Sequence, residues 1–591
     1  MRTLYTNAMV LGENGPETRA FVVENGRFSY VGSQSGAREV AGPDADQVDL
    51  GARFVSPGII DAHTHLLLTG QSLRKVPLRD APDLTTILER LRYAVRADPS
   101  VDRVFAAGWL QGALRGTAPT KGVLDAVVPD RPVYIDANDL HSMWVNSAAL
   151  SELGIDQDTP DPLGGRIGRD PVTGEPDGMI YETATQQIAR PYLASLLTDD
   201  DRDAQLEEAF AHYVAAGVTS VADMAVQPND LAALERARAR HHGRLPLRVK
   251  GYWLIHRRAT EEENLAQVRR AVELAGKHCD EWLQMCGIKI IVDGVIDSCT
   301  AAMKEPYADG SECDPVWDRD ALFPVVAAAD ATGLQVALHA IGDEASDIAL
   351  DALEHAHDLN GPMDRRHRLE HLESVTPDNI RRLAELDVVA SIQPAHADPA
   401  IQDNWRAVLG DSRVDRAFPW AEMVEAGAPM AISTDAPTAP HDPLPNFFVA
   451  TTRLSALDST LPPNLPHQAI DLAHTLRFAT AGAAHACRAE TTQGRIEEGC
   501  WADFSVLREN PFEQEHHALL SNAVTLCVIA GEQVHPPSRR SVAVFCTGLS
   551  HAAQRDRAAP RSPRPPAALP RPSGRPAQWP CDAPPGCSPE P

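Results

Sequence analysis

Short apolar runs, each followed by a stretch of helical pattern, recur through the middle of this chain. That alternation limits its fold more than any other feature. The runs are Arg131–Asp136, Gly217–Asp223, Ile288–Asp293, Leu334–His339, Arg368–His371, Val388–Gln393 and Pro429–Asp435. One of the helical stretches opens on Thr376-Pro377-Asp378, with Thr at the N-cap and Pro at the first helical position. Strand, helix, strand, helix over such a length predicts an α/β protein with a parallel sheet closed into a TIM-like (β/α)8 barrel. A doubly wound open sheet is the structural alternative. It lacks support here, because no Gly-x-Gly-x-x-Gly follows a strand and no phosphate-binding P-loop is present.

The two ends read differently. Ala20–Val31 carries an Asn25-Gly26 turn between two β-prone runs, the signature of a hairpin. Trp501–Leu507 and Ala523–Glu532 are similar β-prone runs near the other end. A small β-sandwich built from both ends is therefore expected, with residues 1–55 and 491–540 flanking a barrel and its insertion at 56–490. Residues 551–591 hold about a dozen prolines, several arginines and few large apolar residues, a composition that cannot bury a core; disorder is expected there.

Several runs end in residues that bind metals. Phe54–His65 ends in His63-Thr64-His65, two imidazoles spaced i, i+2. Side chains alternate along a strand, so both project from one face and can grip one transition-metal ion. In a chain with 22 histidines such a pair arises easily by chance. Its company changes its standing: His339, His371 and Asp435 also close apolar runs. In a parallel barrel the C-terminal strand ends converge on one face, and these five residues would meet there. Lys289 lies inside the apolar run Gly287–Gly294, where a free ammonium is costly to bury. Read alone, it reaches water or pairs with Asp293. Read with the others, it can take up carbon dioxide as a carbamate whose two oxygens bridge two metals.

These segments, together with His141–Asn146, Asp293-Gly294 to Thr300–Ala302, His339–Asp343, Ser391–Pro394, Ser433–Pro437 and Gly499–Asp503, make the chain resemble the amidohydrolase superfamily. The resemblance is to its YtcJ-like branch, which includes N-substituted formamide deformylases, and spans roughly residues 3 to 535. It implies a divalent metal cofactor, zinc by expectation, as one or two ions held by His63, His65, His339, His371 and Asp435. It implies a carboxylated Lys289 as bridging ligand. Hydrolysis of a non-peptide, amide-type carbon–nitrogen bond in a small molecule would follow. A metal-activated water would attack, with Asp435 as the catalytic base. His141, Trp144 and Gln393 are candidates for shaping the substrate pocket, with core packing as the competing role for Trp144. A deaminase or cyclic-amide hydrolase of the same superfamily is the alternative activity, and an inactive scaffold with the same fold is the alternative outside enzymes. Cys500-Trp501 departs from the Lys-Leu that usually precedes Ala-Asp, and the Pro/Arg-rich tail has no counterpart in the family.

Charge and cysteines narrow the setting. A formal charge of -28 argues against nucleic acid or an anionic membrane as the main partner. No membrane-length apolar run and no signal-peptide core are found, and the 10 cysteines, all at or after Cys279, show no Cys-x-x-Cys pair. A cytoplasmic enzyme is expected, acting singly or as a homo-oligomer.

Overall fold

In the computed structural model, which describes residues 2–12 and 15–536, eight parallel strands stand side by side in sequence order. They are β1 (Ile59–Thr64), β2 (Val218–Val226), β3 (Arg248–Ile255), β4 (Leu283–Ile291), β5 (Gln335–Ala340), β6 (Arg368–His371), β7 (Val389–Ile392) and β8 (Met430–Ile432). No ladder joins β8 to β1 among the described residues. Just beyond it the Asp435 amide donates to the His63 carbonyl at 2.8 Å and the His65 amide to the Ala436 carbonyl at 3.0 Å, so the ring is tied shut at its C-terminal rim. Inside, Ile60, Ala62, Ala222, Met224, Ala337, Val389 and Ala431 form one apolar cluster. The alternate positions, such as Val221, Leu338 and Ile392, pack outward against the helices.

Two expectations about strands need correction. The run Arg131–Asp136 gives a strand, Val133–Ala137, that lies outside the barrel, in a six-stranded mixed sheet inserted between β1 and β2. The third barrel strand is instead β3, which the apolar-run criterion passed over because Arg248 and Lys250 interrupt it. Arg248 is fully buried, and its guanidinium donates to the Asp503 carboxylate at 2.8 and 3.3 Å. A charged residue with a buried partner hides a strand from any hydrophobicity pattern.

The chain ends meet in an eight-stranded sheet. Phe54–Pro57 pairs with Arg2–Gly12 on one side and with Phe504–Leu507 on the other. The expected hairpin is present, with Asn25 and Gly26 both at positive φ between Gly15–Glu24 and Arg27–Gly32. Phe28 and Phe504 sit on strands four places apart in this sheet, about 19 Å if it were flat. Their rings are 6.1 Å apart, so the sheet curls on itself into a small sandwich, closed round Tyr5, Phe21, Phe28 and Phe504. The predicted disordered tail lies outside the described residues. Among those described, no helix is long and apolar enough to cross a membrane.

Candidate active site

The C-terminal rim of the barrel gathers residues from five strands. His63, His371 and Asp435 each direct a donor atom so that all three atoms lie within 4.8 Å of one another. His65 joins them: its Nε2 is 3.1 Å from Asp435 Oδ1, against 3.3 Å for His63 Nε2. The His339 ring stands 4.4 Å from that of His371, centroid to centroid. Two of these side chains owe their aim to unusual backbone. Asp435 has φ +55° and His371 φ +78°, left-handed conformations that cost about 1–3 kcal/mol in a non-glycine residue and cluster where geometry matters.

Lys289 is buried beside this group, and its Nζ has no hydrogen-bond partner. The pairing with Asp293 does not occur. Asp293 accepts instead from the amides of Gly342 (2.9 Å), Ile341 (3.1 Å) and Ala302 (3.1 Å). It thereby clamps the loop after β5 onto the loop after β4. Gly342 is needed there, since a Cβ would lie 2.0 Å from the Ala302 carbonyl oxygen. Burial pulls the Lys289 amine down to about 8, against the pull of Glu370 and Asp435.

His371 Nδ1 and Asp435 Oδ1 are, like Lys289 Nζ, buried without a geometrically sound hydrogen bond. These three atoms share one rim, and buried polar groups of this kind normally take a partner. Burial raises the Asp435 carboxyl, but His63, His65 and His396 outweigh it and hold the group well below the usual carboxylate range. For His63, burial dominates and lowers the imidazole to about 4, which leaves a neutral ring with a free lone pair. His339 and His371 are also pushed down, by burial first. The donor set of neutral imidazoles and one carboxylate suits a divalent transition metal.

Glu370 was overlooked by sequence reasoning. It is fully buried, accepts from His63 Nδ1–H at 2.7 Å, and is gripped by the Arg368 guanidinium. Burial works against its charge, yet Arg368 and His63 keep it below the usual range. Fixing Nδ1–H in this way aims His63 Nε2 at the centre, the outer-sphere arrangement that metal-binding histidines adopt. His396 and Glu373 were overlooked too. They bond to each other at 3.0 Å, and with His371 they form a second group whose donor atoms lie within 4.8 Å of one another.

The three pocket candidates fare differently. His141 comes from the inserted sheet and its ring is 5.1 Å from that of His339. Its Nδ1–H donates to Glu182 Oε2 at 2.6 Å, and Thr300 donates to Glu182 Oε1 at 2.6 Å. Burial disfavours the His141 charge, but Glu182 and Asp139 raise the group to about 9. Gln393 is buried with Nε2 donating to Ser433 Oγ at 2.9 Å, while its Oε1 is unpartnered. Trp144 is not brought to the rim. It packs in the core of the inserted sheet against Trp109, with its indole N–H donating to the Thr120 carbonyl at 3.0 Å. Its neighbour Met143, on the opposite face of the strand, lines a cavity beside His65.

Comparison with known proteins agrees with this architecture. A model of the amidohydrolase family matches residues 46–535. YtcJ of Bacillus subtilis strain 168, by its name an amidohydrolase, is 30% identical over 89% of this chain and 97% of its own. An N-substituted formamide deformylase of Arthrobacter pascens is 27% identical over 84% of this chain and 91% of its own. A crystal structure of a metal-dependent hydrolase from Pyrococcus horikoshii OT3 superposes with a TM-score of 0.68 at 27% identity, over 88% of this chain and 99% of that one.

Proposed function

The chain belongs to the amidohydrolase family, a family of metal-dependent hydrolases, and on that premise we propose that it hydrolyses a non-peptide amide-type carbon–nitrogen bond in a small molecule. We assign the metal ligands as His63, His65, His339, His371 and Asp435, with Lys289 as a carboxylated bridge and zinc as the ion. The observation that carries the reading is the convergence of His63, His371 and Asp435 donor atoms within 4.8 Å of one another, with the buried Lys289 Nζ beside them open to carboxylation. Carbamate formation needs a neutral amine, and the burial that lowers Lys289 to about 8 favours it.

A divalent ion bound by this set supplies Lewis acidity and acidifies water to near neutrality. The remaining chemistry belongs to the side chains. Asp435 is ionised and sits between His63 and His65, placed to accept a proton from the attacking water and return it to the leaving nitrogen. His141, protonated through its bond to Glu182, offers an Nε2–H donor to the carbonyl oxygen as negative charge builds on it. Glu370 keeps His63 in the tautomer that leaves Nε2 free. Gln393, with its amide N–H turned to Ser433, presents Oε1 as an acceptor for a substrate N–H. The relative's name, N-substituted formamide deformylase, supports an amide substrate.

The test is a screen of N-formyl, N-acyl and cyclic amides against the purified protein, before and after chelation. We expect near-stoichiometric zinc, hydrolysis of at least one acyclic amide, loss on chelation and recovery on adding zinc. Full activity in metal-free protein would overturn the proposal.

A further inference from the structure

A cavity of about 910 Å³ has His65 in its wall, the one residue of the proposed metal site that lines it. By area most of the lining is apolar, including Leu66, Phe105, Met143 and Leu254, with polar and charged side chains spread among them. One polar patch stands apart. Asp223 of β2 faces it from the side of the strand opposite Ala222 and Met224, and so from outside the ring of strands. Gln205, from the helix Asp199–Ala215 packed over that strand, faces the same space.

What marks this patch is unused accepting capacity. Asp223 is 4% exposed and accepts only backbone N–H groups, from Leu66 and Ala225. Among the described residues no cation is ion-paired with it, and burial pushes its carboxyl up to about 8. Gln205 is 6% exposed and its Oε1 has no partner. The cations in the same wall are already engaged. Arg74 donates to Glu208 at 2.8 Å, Arg103 to Glu152 at 2.9 Å and Arg190 to the Leu140 carbonyl at 3.1 Å. Lys75 is bonded to Asp136, and Arg202 to the Ala194 carbonyl and, at 3.4 Å, to Asp199. Asp230 is the other carboxyl of the patch, and Arg202 offsets part of its burial. With no cation beside it the buried carboxyl keeps its proton near neutrality, and an entering ammonium would draw it to the carboxylate form.

We propose that the substrate carries a protonated amine on a limb that enters this cavity, where the ammonium pairs with Asp223 and donates a further N–H to Gln205 Oε1. An ammonium has three donors and no acceptor, which matches acceptors without donors. The apolar lining fits the methylene stem of such a limb, and a chain of charge -28 draws cations towards it. This inference rests on the amide-hydrolysis reading, and the following two measurements separate them.

First, calorimetry with n-alkylamines of four to eight carbons, using the matching alcohols as neutral controls, reads the site without catalysis. Amines should bind the wild type at least tenfold more tightly than alcohols, and Asp223→Asn should erase the difference. Second, kcat/KM is compared between mono-N-formyl diamines and N-alkylformamides of equal length. The ammonium series should be favoured at least tenfold, with the ratio falling towards one in Asp223→Asn. Gln205→Leu leaves the backbone bonds of Asp223 intact and should reduce the same ratio, so the inference stays testable if Asp223→Asn misfolds. Equal binding of amines and alcohols, or a ratio unmoved by both substitutions, overturns the amine site. Asp223-dependent amine binding with no hydrolysis of these series or of any amide in the screen overturns the amide reading and leaves the amine site standing.

Discussion

Asp435, the base of the proposed mechanism, is ionised by its histidine neighbours and aimed by a left-handed backbone. Asp435→Asn keeps the shape and removes the base, so kcat should fall by about 10²–10⁴-fold, measured on any amide the screen identifies. Glu370 acts through His63. Glu370→Gln should weaken metal retention by roughly 10–100-fold, read by competition with a chelating dye on folded protein. The rim was partly legible in the sequence because each of His63, His65, His339, His371 and Asp435 stands at the end of an apolar run. Glu370 stands in the same run as His371 and Arg368, but the histidine it orients, His63, lies 307 positions away. No local pattern reports a contact of that range. Trp144 shows the converse: a large aromatic in a family motif invites a pocket role, and the strand alternation turned it into the core instead.

Elements whose signals are local were read well. Thr376 caps the helix Pro377–Glu385, and the Asn379 side chain completes a reciprocal cap that the Thr-Pro-Asp reading did not include. Thr376→Ala should cost about 1 kcal/mol, seen as a lower urea midpoint with unchanged slope. The hairpin at Asn25-Gly26 was equally plain. β3 was not, because Arg248 is matched by Asp503 from the far end of the chain and Lys250 by Gln284 of the neighbouring strand. Arg248→Met would strand the buried Asp503 carboxylate, and removing one partner of such a pair costs about 3–5 kcal/mol. Arg248→Met combined with Asp503→Leu should recover part of that loss in denaturant melts, which identifies the pair, and not the packing of Arg248, as the cause.

At the scale of the whole molecule, acid should open the fold in part through Asp330. This buried carboxylate accepts from Arg365 at 2.8 Å, His367 at 2.9 Å and Asn360 at 2.9 Å, joining the helix Arg319–Ala331 to the chain entering β6. Burial raises it, but these donors prevail and hold it well below the usual aspartate range. The unfolded chain therefore takes up this proton at higher pH than the native one. The stabilisation is full above about pH 4, the unfolded value, and drains away as pH falls further. Asp330→Asn should flatten stability against pH below about 4 while lowering the neutral plateau, as measured by urea melts across that range. The same long-range wiring bears on how the molecule is made. On the ribosome, the strand Phe54–Pro57 emerges with one edge bare, and its antiparallel neighbour Phe504–Leu507 follows only after about 450 further residues. At roughly 5–20 residues per second the wait is about 20–90 s. For that interval the nascent chain carries an unpaired β-edge, which makes slow translation or scarce chaperone a hazard to yield that no measurement on the finished enzyme would reveal.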